Sequence, residues 1–234
     1  MKTIKHILTV AVFEVLLAPI FAQTGTAIMS TDEVFSEFLM TNHEVTETCV
    51  TSRNMSLGSY GIGDFGPGGG IVFYYSEMGF PVYESDDASP VICHYLECSS
   101  IEIGIITWCP CGDDWWCDVN TMDGIGTGKL NTKHILDSTH YNAEFLTLSN
   151  CAAYACSLYF TETTNAGDWY LPSKSELNLL YENLMKDRNI VGDKWHWSSL
   201  HSGSVSAWDQ SFSDGFQGNQ YKHFTNYVRA VRAF

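Results

Sequence analysis

The sequence predicts an α+β domain in which two helices flank a small antiparallel sheet with long, disulfide-stapled loops. Three patterns support this prediction. A glycine-rich turn leads into the β-type stretch "IVFYY" (71–75), two segments show helical spacing of apolar residues, and short strand-like runs fill the C-terminal part. Runs separated by Gly, Ser and Asn are typical of antiparallel strands. Helices grouped beside such a sheet define the α+β class.

The best-defined helix is predicted at residues 173–185. Ser173 and Glu176 form a Ser-x-x-Glu capping box, which satisfies two backbone N–H groups of the first turn. Pro172 keeps the helix from extending backwards. The apolar residues at helical spacing are Leu177, Leu180, Tyr181 and Leu184. We expect this helix to be scaffold, together with a second helix within residues 147–160.

Strands are predicted after this helix and loops before it. The strand-like runs are residues 195–199, 206–213, 215–222 and 227–234. Residues 80–128 carry most of the cysteines and several Asp, so we expect long loops there. The segment "GIGTGKLN" (124–131) is interpreted as a turn, because Asp123 and Leu130 stand where a phosphate loop needs Gly and Ser or Thr.

The N-terminal residues indicate export. Residues 1–22 combine early basic residues, an apolar run and a small residue before the expected cut, which is the layout of a secretory signal peptide. We therefore predict a secreted or cell-surface protein without a transmembrane segment. An N-terminal extension is expected over residues 23–59 and a folded domain over residues 60–234.

The cysteine pattern fits that compartment. The eight cysteines are Cys49, Cys93, Cys98, Cys109, Cys111, Cys117, Cys151 and Cys156. An even number of cysteines on an exported chain favours disulfides over thiols. The sequence does not choose among the many connectivities that eight cysteines allow.

The charge restricts the partners. The chain has 12 basic and 27 acidic residues, a formal net charge of −15. Such a surface repels nucleic acids, sulfated polysaccharides and anionic membranes, and it tolerates cations and neutral sugars. We expect a glycan or an extracellular protein as partner, no nucleic acid, and leave a homo-oligomer open.

An acidic stretch is the candidate metal site. It gathers Asp113, Asp114, Asp118, Asn120 and Asp123 around a glycine. Calcium prefers such oxygen clusters, although the spacing is not that of an EF-hand loop. The sequence requires no cofactor; calcium is the ion that this stretch could hold, and a solvated acidic loop is the alternative.

Tryptophans mark the candidate ligand contacts. Trp108, Trp115 and Trp116 lie in the cysteine-rich region, where exposed indoles could stack on a sugar. Packing around disulfides is the alternative interpretation for them. The tryptophans expected in the core are Trp169, Trp195, Trp197 and Trp208.

The order and spacing of several motifs resemble a bacterial family, the Lcl C-terminal domain family, which is named after a module of a collagen-like adhesin. The motifs are "GPGGGIVFYY" (66–75), "GIGTGKLNT" (124–132), "DWYLPSKSELNLLY" (168–181), "WHWSS" (195–199), "AWDQSFSDGFQ" (207–217) and "VRAVRAF" (228–234). The resemblance implies a C-type-lectin-like fold in which the N- and C-terminal strands pair and a long loop region binds ligand. The Glu-Pro-Asn and Trp-Asn-Asp signatures with which C-type lectins hold calcium and sugar are absent, and the chain offers only Trp208-Asp209-Gln210. Asp209 and Gln210 are candidate ligand contacts on that basis.

Two features depart from the properties that relatives imply. The family's best-described member looks like a binder of sulfated glycosaminoglycans, but this chain has no basic stripe, and we interpret Arg229 and Arg232 as structural ion-pair partners. Residues 38–47, "FLMTNHEVTE", resemble formylglycine-generating, sulfatase-modifying proteins of the same fold. Their chemistry depends on cysteines late in the chain, and none follows Cys156 here.

These observations favour a non-catalytic, lectin-like binding module. No Gly-x-Ser-x-Gly or His-Glu-x-x-His motif is present. Two alternatives stay open: an extracellular enzyme on the same fold, and a structural component of a cell envelope or filament.

Overall fold

The computed structural model describes residues 59–109, 118–138, 150–186 and 194–234. All of them belong to one compact unit, Met55–Phe234. The predicted signal peptide and almost all of the N-terminal extension lie outside the described residues. The described part is α+β, as predicted, with three helices and two sheets rather than two helices and one sheet.

The smaller sheet joins the first and last strands of the described part. Its strands are β1 (Ile71–Val82), β2 (Val91–Cys98) and β8 (Val231–Ala233). Their order is β1-β2-β8, and both pairings are antiparallel. The β-type stretch of the sequence is therefore confirmed as the start of β1, and β2 arises in a region where only loops were expected.

The larger sheet has five strands in the order β3-β7-β4-β5-β6. They are β3 (Gly104–Thr107), β4 (Trp195–Gly203), β5 (Ser206–Ser211), β6 (Gln217–Tyr221) and β7 (Thr225–Val228). The four strand-like runs of the sequence are confirmed here and in β8. β3 was not predicted, because it occupies only four residues.

The helices are α1 (Gly128–Asp137), α2 (Ala152–Leu158) and α3 (Lys174–Leu180), and α3 continues as a π-helical turn over Tyr181–Met185. The predicted capping box is present: the Ser173 side chain accepts from the Glu176 N–H, and the Glu176 side chain accepts from the Ser173 N–H. The interpretation of residues 124–131 as a turn is wrong from Gly128 onward, where α1 begins without a side-chain cap. In the described ranges, no helix is long and apolar enough to cross a membrane.

Two apolar cores lie between the sheets and the helices. One contains Trp108, Trp169 and Trp197, all almost fully buried, beneath the larger sheet. The other contains Phe73, Leu177 and their neighbours between the smaller sheet and α3. Of the tryptophans expected in the core, Trp169 and Trp197 are confirmed there, whereas Trp195 and Trp208 are partly exposed.

The predicted disulfides are not confirmed in the described part. Five of the eight cysteines are described and buried: Cys93, Cys98, Cys109, Cys151 and Cys156. No two of their sulfurs lie at bonding distance. Cys109 Sγ and Cys151 Sγ lie 2.9 Å apart, against about 2.05 Å in a disulfide. Cys49, Cys111 and Cys117 lie outside the described residues.

The glycine turn before β1 closes on a buried carboxylate. The N–H groups of Gly68 and Gly70 each donate to a different oxygen of Glu97, at 3.0 Å. Arg232 pairs with the same carboxylate at 2.5 Å, and Glu97 is fully buried. A Cβ on Gly68 would lie 2.3 Å from the carboxylate oxygen, so only glycine lets the backbone approach this closely.

The glycine turn before α1 closes on a second buried carboxylate. The Gly126 N–H donates to Glu176 Oε1 at 2.8 Å, and Gly126 has a φ of 89°. A Cβ on Gly126 would lie 2.0 Å from the backbone oxygen of Pro81. Asp123 adds a further tie, because its Oδ1 accepts from the Ser175 N–H of α3. Glu176 of the α3 capping box therefore also holds the turn from which α1 starts.

We expect Gly126→Ala to destabilise the fold much more than Gly63→Ala. Both positions have a positive φ, but a Cβ on Gly63 meets nothing within 4 Å. Gly63→Ala should therefore cost only backbone strain, about 1 kcal/mol, whereas Gly126→Ala adds a backbone clash and should cost about 3 kcal/mol or more. Urea unfolding measures both losses. Equal losses of stability in the two variants would show that a Cβ at position 126 does not clash with Pro81 and would contradict the prediction.

The stability should depend on pH through Glu176. Burial raises its pKa from 4.5 to about 7, against the opposing hydrogen bonds from Ser173 and Gly126. Because the folded state holds this proton more tightly, its contribution is fully present below pH 4.5 and is lost as the pH rises through 7. The full contribution is on the order of 3 kcal/mol.

The measurement is urea unfolding between pH 4.5 and pH 8. The difference in unfolding free energy between wild type and Glu176→Gln should change across that range, because the amide does not titrate. The control is Glu182→Gln, which makes the same change at an exposed position of the following π-helical turn. A constant difference for Glu176→Gln would contradict the assignment.

Candidate functional site

An acidic cavity beside α1 is the candidate site. Its volume is about 340 Å³. The polar residues that line it are Asp86, Asp118, Asn120, His134, Asp137 and Ser138. They come from the β1–β2 connection, from residues 118–120 and from the end of α1, so three separate parts of the chain build one concave surface.

Asn131 of α1 positions the segment that carries Asp118 and Asn120. This side chain is fully buried. Its Oδ1 accepts from the Met122 N–H at 2.8 Å, and its Nδ2 donates to Met122 O at 2.7 Å and to Ser199 Oγ at 3.0 Å. The amide thus satisfies both backbone groups of one residue and fixes residues 118–122 against α1 and β4.

His134, three residues farther along α1, closes one wall of the cavity. Its Nδ1 lies 2.5 Å from Asn120 O, and its Nε2 lies 2.9 Å from Asp86 Oδ2. Both neighbours are acceptors, so the ring donates to both only when it is protonated. Both ring nitrogens are used in these contacts, so His134 joins two segments of the wall. It is not placed to act as the base of a nucleophile.

The cavity has a negative field. Asp86, Asp118 and Asp137 line it, and Lys133 pairs with Asp137 at its edge. Asp118 is exposed and accepts from Ser204 Oγ at 3.2 Å, which leaves its other oxygen available to a ligand. Carboxylates in this arrangement accept hydrogen bonds from hydroxyl groups and attract cations, and they repel sulfate groups.

The buried Lys222 supports this wall from inside. Its Nζ lies 4.7 Å from the centre of the Trp108 ring and donates to Ser204 O at 3.2 Å. Burial lowers the pKa of Lys222 to about 8, although the charges of Asp118 and Cys109 oppose that change. The cation therefore contributes to holding Asp118 and Trp108 in place.

The predicted calcium ligands do not all meet. Asp118 and Asn120 both line the cavity, but Asp123 is used in the turn before α1. Asp113 and Asp114 lie outside the described residues. Within the described ranges, no group of three or more His, Cys, Asp or Glu side chains could hold a metal ion. Calcium therefore stays a prediction.

The described ligand candidates that lie outside the acidic stretch 113–123 are buried. Trp108 is fully buried and donates from Nε1 to Ser198 O at 2.7 Å, so its prediction as a surface contact is corrected. Gln210 is also buried and donates to Asn178 of α3. Asp209 is 5% exposed, and Asn226 donates to its Oδ2. Trp115 and Trp116 lie outside the described residues.

Burial raises the pKa of Asp209 to about 6, against the hydrogen bond from Asn226. Its Oδ1 has no hydrogen-bond partner among the described residues. Asp209 and Gln210 lie on β5, away from the acidic cavity, so the structure does not bring them together with Asp118 and Asn120.

The two arginines of the last motif are structural, as interpreted. Arg229 pairs with Glu102, and Arg232 pairs with Glu97. Burial would raise the pKa of Glu102, but the hydrogen bond and charge of His196 and the charge of Arg229 outweigh it and lower that pKa. Neither arginine is part of a cluster that could clamp a sulfate.

Sequence reasoning missed Asp86, His134 and Asp137. Asp86 is 32 positions before Asp118 in the printed numbering, and no spacing rule connects them. His134 and Asp137 are three residues apart, which places them on one helix face, but α1 itself was not predicted. The three-residue spacing of His134 and Asp137 indicates a shared face only if residues 128–137 are first predicted to be a helix.

Neither protein-family models nor curated proteins give a match to this chain. The resemblance to the Lcl C-terminal domain family therefore depends on the quoted motifs alone.

We expect Asn131→Ala to release residues 118–122. The substitution leaves the backbone N–H of Met122 without its partner and should cost about 3 kcal/mol. Asn183→Ala is the matched control, because Asn183 donates one hydrogen bond, to Phe73 O, and its loss should cost about 1 kcal/mol. Hydrogen exchange at the Met122 amide should accelerate in the first variant only. Unchanged exchange there would contradict this role of Asn131.

Proposed function

We propose that this chain is an exported or cell-surface, lectin-like binding module that recognises an extracellular ligand without catalysis. The observation that carries the proposal is the acidic cavity built from three chain segments beside α1. Its concave, polar wall is suited to a small ligand or to the end of a larger one. The signal-peptide pattern and the family resemblance support the location and the role.

The charge of the site favours a neutral glycan. The carboxylates of Asp86, Asp118 and Asp137 accept hydrogen bonds from sugar hydroxyls. A sulfated or phosphorylated ligand would meet repulsion both in the cavity and from the net charge of −15. Trp115 and Trp116 lie three and two positions before Asp118 in the sequence and remain proposed stacking partners. Calcium bound through Asp118 and Asn120 is proposed as an additional contact.

A glycan array tests this proposal. The full chain should bind members of a set of neutral oligosaccharides and none of their sulfated counterparts. The array is run with chelator and again with calcium at about 1 mM, where extracellular calcium modules are loaded. Binding that appears only with calcium would establish the metal. Absence of neutral ligands under both conditions would count against the proposed glycan recognition.

Variants locate the binding. Asp118→Asn should weaken binding of a neutral hit about tenfold or more, because a hydrogen bond to a charged acceptor is weakened. Glu162→Gln makes the same change of charge at an exposed position outside the cavity lining and should leave binding unchanged. Equal affinities for the two variants would place the ligand elsewhere.

A further inference from the structure

Two cysteine sulfurs approach each other in the core behind the acidic cavity. Cys109 Sγ and Cys151 Sγ are 2.9 Å apart, and both residues are fully buried. Cys109 lies just after β3, and Cys151 lies at the N-terminus of α2. A disulfide requires about 2.05 Å, so the sulfurs need to move together by less than about 1 Å.

Two hydrogen bonds next to the pair fix this approach. Thr107 Oγ1 donates to Asn150 O at 2.7 Å, and the Ala152 N–H donates to Trp108 O at 3.1 Å. These two hydrogen bonds join the residues just before Cys109 to the residues on either side of Cys151. Their proximity is a property of how β3 packs on α2, and it does not depend on the two side chains alone.

We propose that Cys109 and Cys151 form a disulfide bond when the chain folds in an oxidising compartment. The location in the cell rests on the proposed export, whereas the pairing itself rests only on the geometry. The sequence left all connectivities open, and this geometry selects one bond among them. Val119 packs in the same core and also lines the acidic cavity, so the bond would lie directly behind that cavity.

The chemistry is thiol–disulfide exchange with a disulfide oxidant, such as oxidised glutathione or an export-compartment oxidoreductase. The thiolate of one cysteine attacks the oxidant, forms a mixed disulfide and releases one thiolate of the oxidant. The thiolate of the second cysteine then attacks the mixed disulfide, forms the Cys109–Cys151 bond and releases the second oxidant thiolate. The two protons lost by the cysteines pass to those thiolates, and the oxidant gains two electrons.

The other described cysteines are placed differently. Cys93 and Cys98 lie on β2 in the second core, and Cys98 is almost fully buried there. Burial raises the pKa of Cys98 to about 11, so its thiolate is scarce. Cys156 lies on α2 with its sulfur also in the first core, and it is the nearest competitor in sequence for Cys151.

The test is refolding of the reduced full chain in a mixture of reduced and oxidised glutathione, followed by peptide mapping without reduction. The expected product contains the peptides of Cys109 and Cys151 linked to each other. The oxidised protein should melt on the order of 10 °C above the reduced protein, because the bond closes a long loop. Cys109→Ala or Cys151→Ala should abolish this difference, and Cys156→Ala should keep it.

Three results would overturn the proposal. They are a bond from Cys109 to Cys111 or Cys117, a bond from Cys151 to Cys156, and full alkylation of both cysteines after refolding. The mapping of the wild-type chain decides the question even where an alanine variant fails to fold. The readout involves no ligand, so its failure and the failure of the glycan experiment are distinguishable.

Discussion

Two buried glutamates, each accepting hydrogen bonds from the backbone of a glycine turn, hold this domain together. Glu97 receives the N–H groups of Gly68 and Gly70, and Glu176 receives that of Gly126, from 50 residues away. A buried carboxylate is costly unless donors surround it. The glycines provide those donors because they have no Cβ between the backbone and the carboxylate. Each interaction therefore fixes a turn and gives a buried carboxyl group hydrogen-bond partners at the same time.

The second of these interactions also determines the candidate site. The turn that Glu176 holds ends at Gly128, where α1 begins. The position of α1 therefore depends on a member of the α3 capping box. α1 in turn supplies Asn131, which fixes residues 118–122, and His134, which contacts Asp86 and Asn120. The acidic cavity is thus built on a chain of contacts that leads from a buried carboxylate to the surface.

Local patterns predicted the parts of the fold that local forces determine. The capping box at Ser173, the start of β1 and the C-terminal strands were predicted because caps and turns act over a few residues. α1 was missed because it has no side-chain cap, and β2 was missed because its cysteines indicated loops. Asp118 and Asn120 were chosen for their oxygens and do line the cavity, but their partners Asp86 and His134 come from distant segments. Trp108 was misjudged because composition does not distinguish a buried indole from an exposed one.

The smaller sheet has a consequence for the timing of folding. β8 has only three residues, yet this end of the domain makes many contacts. Val231 exchanges backbone hydrogen bonds with Tyr170, and Phe234 forms backbone hydrogen bonds with His94 and Tyr95. Arg232 neutralises Glu97. The first core glutamate thus lacks its cation until residues 231–234 have left the ribosome. A nascent chain therefore cannot close this domain before residues 231–234 have been synthesised. For a chain that is exported, as proposed above, that delay would leave the earlier segments extended enough to pass through a narrow translocation channel.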